Sequence, residues 1–336
     1  MDTKLKNGTI LLGARPSIVT SAAVGGKKEG DGPLGSYLDY VAKEGHMGKD
    51  TWEKAESELQ KEALQFAMDK GDLKAGNLDC ILSGDLLNQC IASSFAHRGS
   101  GTAFVGLYGA CSTFAEALGL GALMVNAGYA DYVAACVSSH FCSAERQYRF
   151  PMEYGGQRPP TSQWTVTGAG CSILTKNMPN FPSVTAVLLG SIVDAGIADA
   201  NNMGAAMAPS AYDSLHKFFV DTTTQPSDYD LIVTGDLGNV GKNLLIDLFK
   251  MEDQIDIGAN LIDCGAEIYS TESQDVHSGG SGAGCSAAVF SGFLMEELKK
   301  GRWNRVLFAG TGALLSPLSS QQGESIPGIC HVVCIN

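Results

Sequence analysis

The chain contains the same segment twice. Residues 78–88 read LDCILSGDLLN and residues 229–239 read YDLIVTGDLGN, with Gly84-Asp85 and Gly235-Asp236 in register. Downstream, GACS ends at Ser112 and AGCS ends at Ser286. Twenty residues lead from Cys111 to Asp131 before the apolar run YVAAC, and twenty lead from Cys285 to Arg305 before VLFAG. Each half therefore repeats one order: helix, strand, Gly-Asp turn, Cys-Ser turn, helix, strand. The runs DCILSG, DYVAACV, DLIVTG and RVLFAG are short and continuously apolar, as strands buried on both faces between helical layers are. The segment after Cys111 carries Phe114, Leu118, Ala122 and Val125 on one helical face and is rich in Ala and Gly, which suits close packing against a neighbouring helix. Two such α/β units, residues 1–175 and 176–336, predict layers of helix, sheet, helix, sheet and helix.

Local signals fill in the frame. Asp50 reads as the N-cap of a helix, with Glu53 returning to it. Trp52, Ala55, Leu59, Ala63 and Phe66 then share one face, and Gly71 closes the segment. In the second half Pro209 is expected to open the matching helix. Residues 138–170 break the repeat with polar, aromatic and turn-forming residues, and are expected to form loops over a shared cavity. Residues 194–209 read as another insertion. Residues 13–50, rich in Gly and charge, read as an extended arm or a partner-contacting loop.

Composition limits the function. With 336 residues, 44% of them apolar, the chain can bury a large core. A formal charge of −13 argues against nucleic acid and against unaided binding to anionic lipid. The start, MDTKLKNGTILLGARPSIV, has no long apolar segment ending in a cleavage site, so no signal peptide is expected. No run of 18 apolar residues is present to span a membrane. The ten cysteines form no CxxC pair and sit mostly among Ala, Gly and Val. They read as free thiols in a reducing compartment; Cys330 and Cys334 flank His331 without a second ligand cluster.

Several residues could carry chemistry. Cys111, at a helix start, would meet free backbone N–H groups and the positive end of the dipole, which favour a thiolate or bind a carboxylate. Ser112 belongs to the same turn. Cys285 follows the glycine-rich SGGSGAG, where backbone amides of Gly282 and Gly284 could approach an anion, although tight helix–strand packing explains the glycines equally well. Ser139 and His140 lie just past a strand's C-terminal end, where α/β folds place ligands. Arg146, Arg149 and Arg158 concentrate positive charge in an acidic chain and suit carboxylates, or they pair with Glu145 and Glu153. Asp85 and Asp236 follow strands at tight turns, and capping of the next helix is their favoured role.

A duplicated α/β half with Cys at the buried helix start resembles the thiolase superfamily, which includes the ketoacyl synthases. In that superfamily the Cys is acylated, and the second half supplies His and Asn, or two His. Where related synthases carry a His-rich turn, this chain has Thr234-Gly235-Asp236; where they carry Gly-Asn before the small-residue helix, it has Ala283-Gly284. A closer resemblance spans essentially the whole chain. DGPLGS (31–36), GDLLNQ (84–89), YGACST (108–113), SSH…AERQYR (138–149), EYGGQ (153–157), MGAAMAP (203–209), TGDLG (234–238) and TGALLSP (311–317) are together similar to the stage V sporulation protein AD family of spore-forming bacteria. That resemblance implies a thiolase-like fold put to non-enzymatic use. The expected role is a peripheral component of a spore inner-membrane assembly, with membrane-embedded partner subunits, that binds and moves dipicolinic acid, with calcium or alone, in sporulation and germination. The expected ligand-binding set is Cys111, Ser112, Ser139, His140, Arg146, Gly282, Gly284, Cys285, Asp85 and Asp236, with no catalytic residue, resident metal or cofactor. Tyr108 or Trp164 could stack on the ligand's ring. Homodimerisation is implied by the superfamily. The competing readings are a cysteine acyltransferase using Cys111 with His140 or His277 as base, and a structural adaptor.

Overall fold

The four apolar runs form strands at the centres of two sheets. The computed structural model describes residues 2–148 and 158–336. In the first half, Cys80–Gly84 lies parallel between Tyr132–Ser139 and Ala103–Leu107. Tyr132–Ser139 then pairs antiparallel with Gly168–Thr175, and that strand with Ser17–Gly25. In the second half, Leu231–Thr234 lies parallel between Val306–Ala313 and Leu261–Asp263. Val306–Ala313 pairs antiparallel with Gly328–Ile335, and that strand with Val184–Leu188. The two halves thus share strand order and strand direction. Short strands extend each sheet: Tyr40–Val41 joins the first, while Ile10–Leu11 and Thr3–Lys4 carry the N-terminal segment onto the second.

Between the sheets lie two helices made from the Cys-Ser segments. Thr113–Asn126 packs against Cys80–Gly84 and Tyr132–Ser139 of one sheet and against Val306–Ala313 and Gly328–Ile335 of the other. Its face of Phe114, Leu118, Ala122 and Val125 is buried as the spacing requires. Its counterpart starts as Ala283–Val289 and runs through a π-helical turn, Phe290–Leu294, into Met295–Lys299. Phe114, Phe290 and Phe308 meet with centroids 4.9–6.2 Å apart, joining both central helices to the second sheet. Trp52–Lys70 and Ile91–His97 cover the outer face of the first sheet, and Met203–Thr222 with Gly238–Glu252 cover that of the second. The architecture is the five-layer, thiolase-like arrangement of duplicated halves.

Some local expectations give way. Thr51, not Asp50, caps the first long helix by accepting the Lys54 N–H, while Asp50 pairs with the Lys54 ammonium. Asn202 caps the Met203–Thr222 helix, and Pro209 sits inside it. Its missing N–H falls on the second turn, which tertiary packing tolerates. The charged stretch 13–50 hides the buried strand Ser17–Gly25, whose SIVTSAAVG is apolar enough to be read as a strand once isolated from its neighbours. Residues 138–170 are not all loop, since Phe141–Tyr148 is a helix. Arg149, Glu153 and the EYGGQ motif lie outside the described residues.

The sheets differ at one edge. Leu261–Asp263, last in the second sheet, has Leu261 and Asp263 buried. Its counterpart Ala103–Leu107 is exposed at all but Leu107, with Phe104 38% and Val105 43% exposed.

Backbone contacts set the spacing of the central layer. A Cβ on Gly170 would stand 2.0 Å from the Ala287 carbonyl oxygen, and one on Gly284 would stand 2.2 Å from that of Gly168. Neither neighbour is a flexible side-chain end, so the strand and the helix would have to part. Gly170→Ala and Gly284→Ala are each expected to destabilise the fold by about 3 kcal/mol or more, read as a lowered denaturant midpoint in urea melts.

Candidate functional site

The start of the first central helix meets the start of the second at one cavity. The turn Ala110–Ser112 precedes the Thr113–Asn126 helix. Ala110 takes a left-handed φ of 52°, a conformation that costs a side-chain-bearing residue about 1 kcal/mol or more. Three hydrogen bonds hold it there: Thr113 Oγ1 donates to the Ala110 carbonyl (2.6 Å), the Gly109 N–H donates to Thr113 Oγ1 (3.1 Å), and Ser112 Oγ donates to the Gly109 carbonyl (2.7 Å). Ser112 is thereby buried in the turn, and Cys111 is aimed into the cavity.

Opposite Cys111 stands the second half's contribution. Ser281 Oγ lies 4.0 Å from Cys111 Sγ and donates to Asp236 Oδ2 at 3.1 Å. The Gly282 N–H also reaches Oδ2 (2.9 Å), and Thr311 Oγ1 donates to Oδ1 (3.1 Å). Gln163 fixes the backbone by donating to the Asp236 and Gly280 carbonyls, both at 2.7 Å. Asp236 is fully buried, and burial raises its pKa against these hydrogen bonds. Burial, then the Asp236 carboxylate, also pushes the Cys111 thiol well above its ordinary range. Desolvation and the neighbouring anion thus work against the thiolate that a helix start by itself favours.

The cavity measures about 60 Å³, room for a few waters. Cys111, Ser281, Thr165, Glu145, Tyr148 and Met203 are among its walls. It shares Ala110, Tyr148 and Leu315 with a wider outer cleft of about 320 Å³, lined also by Asn88, Tyr108, Leu314, Ser316 and Pro317. Tyr148 donates to the Leu86 carbonyl at 2.6 Å, and its hydroxyl lies 3.4 Å from that of the exposed Tyr108. Thr165 Oγ1 donates to Glu145 at 3.0 Å. Among the described residues, no Lys, Arg or His lines either space, and no cluster of three or more His, Cys, Asp or Glu is placed to hold a metal.

The sequence-derived set divides. Cys111 lines the cavity, and Asp236 lies behind it through Ser281. Ser139 is buried structure: its Oγ donates to the Val166 carbonyl (2.7 Å) and accepts the Gly284 N–H (3.0 Å). Gly282, at φ 108°, and Gly284 press against Ser139, so their amides are used inside the protein. The buried Cys285 thiol meets the Gly235 carbonyl. His140 turns to the outer side, where Nδ1 accepts the Cys142 N–H (3.1 Å) and Nε2 meets the Gly45 carbonyl (2.9 Å). Burial lowers its pKa, so it is a neutral, satisfied side chain away from the cavity. Arg146 pairs with Glu53 on the outer surface. Asp85 caps its helix, accepting from the Leu87 N–H and from both the N–H and the hydroxyl of Ser93. His277 sits in a loop beside Asp275, 3.1 Å away. Of the expected stacking residues, Trp164 packs on Phe141 (4.0 Å, 11°) and Tyr108 stands at the cavity's mouth.

Sequence reasoning missed Tyr148 and Ser281, and took Glu145 only as a partner for arginine. Glu145 and Tyr148 are three apart on one helix, facing the cavity, whereas Arg146 points elsewhere. That spacing was readable only once 141–148 was known to be helical.

Burial and the nearby Asp236 carboxylate disfavour a thiolate at Cys111. Its alkylation by iodoacetamide at pH 7.5 is expected to run at least about tenfold slower than that of the half-exposed Cys142, followed by peptide mass spectrometry. Asp236→Asn should speed Cys111 by removing the opposing charge; a fast Cys111 in the native chain would overturn the assignment.

Comparison with known proteins places this geometry. The family model for stage V sporulation protein AD matches residues 6–336. Stage V sporulation protein AD of Bacillus subtilis (strain 168) is 42% identical over 319 residues, covering 95% of this chain and 94% of that protein. Among solved structures, 3-oxoacyl-[acyl-carrier-protein] synthase III from Aquifex aeolicus VF5 is similar at 14% identity, with a TM-score of 0.58 over 96% of this chain and 99% of that one. Cerulenin-bound OleA from Xanthomonas campestris is similar at 14% identity, with a TM-score of 0.60 over 96% of each chain. The structural likenesses show the thiolase-like fold, and the sequence matches show that the chain belongs to the stage V sporulation protein AD family.

Proposed function

We propose that the protein is a non-catalytic, dipicolinate-binding subunit of a spore inner-membrane transport complex. The observation that carries this reading is the Asp236 carboxylate facing Cys111. An acyl transfer needs a thiolate and a base or donors for the developing oxyanion. Here a buried acid and a serine stand at the thiol, His140 is turned away, and His277 is not among the cavity's walls. What remains is a recess that can be filled.

The recess suits a flat aromatic ligand carried as its calcium chelate. A bare dianion would lose its hydration in a cleft whose described walls hold no cation, which is costly. Dipicolinate with bound calcium is neutral overall. Its ring can stack on the exposed Tyr108, and the oxygen-rich inner end, with Glu145, Thr165 and Ser281, suits a hard cation's remaining ligands. Attachment to the membrane would come from embedded partner subunits, since no helix among the described residues is long and apolar enough to cross.

The bare edge Ala103–Leu107 supports self-association. It carries no charge, and two copies can pair it antiparallel without placing like charges together, despite the chain's net −13. In the equivalent strand of the second half, Leu261 and Asp263 are buried.

Calorimetry with dipicolinate is expected to show saturable, near-stoichiometric binding, about tenfold (~1.4 kcal/mol) tighter with calcium, and little binding of pyridine-2-carboxylate. Ala313→Leu, which fills the cavity wall, should weaken binding by a similar factor. Absence of binding with or without calcium would remove the reading. For the edge, sedimentation should show a dimer that Val105→Lys converts to a monomer with an unchanged melting temperature.

A further inference from the structure

Nine of the ten thiols are pushed above their ordinary range, chiefly by burial. Cys136 is the exception, and it lies outside the ligand cavity, under the outer helices of the first half. It sits on Tyr132–Ser139 directly opposite Cys171 on Gly168–Thr175. Residues paired in this way project to one face of a sheet, with Cα atoms about 4.5–5.5 Å apart, inside the range a disulfide spans. The Cys136 thiol donates to the Gln60 carbonyl oxygen at 3.6 Å.

A third group completes the cluster. His97, the last residue of the Ile91–His97 helix, is buried, and its ring acts on Cys136. Its Nε2 is buried without a hydrogen-bond partner. The neighbouring Cys171 thiol, then His97, bring the Cys136 pKa down to about 6 against the effect of burial. The Cys171 thiol moves the other way, well above its usual value. One thiol is thus set to attack and its neighbour to stay protonated beside it.

We infer that Cys136 and Cys171, with His97, form a dithiol site that hydrogen peroxide oxidises to a cross-strand disulfide. The Cys136 thiolate attacks one peroxide oxygen, the O–O bond breaks, and Cys136 becomes a sulfenic acid while hydroxide leaves and takes a proton as water. Cys171 then loses its proton and its sulfur attacks the sulfenic sulfur; the S–S bond forms, the S–O bond breaks, and a second water leaves. Two thiols and one peroxide give one disulfide and two waters. Both sulfurs are fully buried, so a small neutral oxidant reaches them through local opening at the Ile91–His97 helix, not from bulk solvent.

The test uses the whole reduced protein treated with hydrogen peroxide, quenched by alkylation in denaturant and mapped by non-reducing peptide mass spectrometry. The expected product is a peptide linking Cys136 to Cys171, formed about tenfold faster than oxidation of the more exposed Cys142. In Cys171→Ser, dimedone should trap Cys136 as its sulfenic acid, and His97→Gln should slow loss of the Cys136 thiol several-fold. Oxidation that follows exposure, with Cys142 consumed first and Cys136 and Cys171 recovered as free thiols, would overturn the inference. That primary comparison is made in the unsubstituted chain, so misfolding of a variant cannot obscure it.

Discussion

The structure depends on how closely two helix starts and two sheets approach in the central layer. Gly170 lies against the Ala287 carbonyl and Gly284 against the Gly168 carbonyl, with no room for a methyl group at either position. That proximity accounts for the small residues around both Cys-Ser turns, and for the helix beginning Ala283–Val289, which is buried at every position. It also leaves the ends of both helices facing one small space. Any polar group brought into that space has lost water, so it must find a partner within the protein. Ser139, Gln163, Ser281 and Thr311 are these partners, and the cavity is what their packing leaves open.

The duplication made the fold legible before any coordinates. Four apolar runs, two Gly-Asp turns and two Cys-Ser turns specify which strands sit centrally and which helices lie between the sheets, because a continuously apolar strand needs cover on both faces. What stayed hidden was local. Ser17–Gly25 is flanked by charge and glycine, so its neighbours masked it. Thr51 and Asp50 are both competent caps, and only the direction of the backbone decides between them. Phe141–Tyr148 is a short helix whose stability comes from tertiary packing more than from propensity.

The site was less legible than the fold, for a related reason. Sequence position told which residues lie near the end of a strand, but not to which side they turn. Ser139 points to the central layer and His140, one residue on, points outward to Gly45 and Trp52. Arg146 and Glu145 are adjacent in the chain and face different surfaces. Among the described residues of the expected ligand-binding set, Cys111 alone lines the cavity.

The repeat also shows how one position can acquire two jobs. Asp85 and Asp236 occupy the same place after matching strands. Asp85 accepts from Leu87 and Ser93 and so ends in a cap. In the second half, Asp263 takes over that work, accepting the Leu237, Gly238 and Ala266 N–H groups. Asp236 is thereby released from capping and turned toward Ser281 and Cys111. A thiolate at Cys111 would be opposed by the Asp236 carboxylate in addition to its desolvation. Burial raises the pKa of Asp263 to about 7 as well, so the second half concentrates groups that resist further negative charge at this end of the cavity. A neutral thiol beside a serine hydroxyl and a fully hydrogen-bonded Asp236 is what such an environment stabilises.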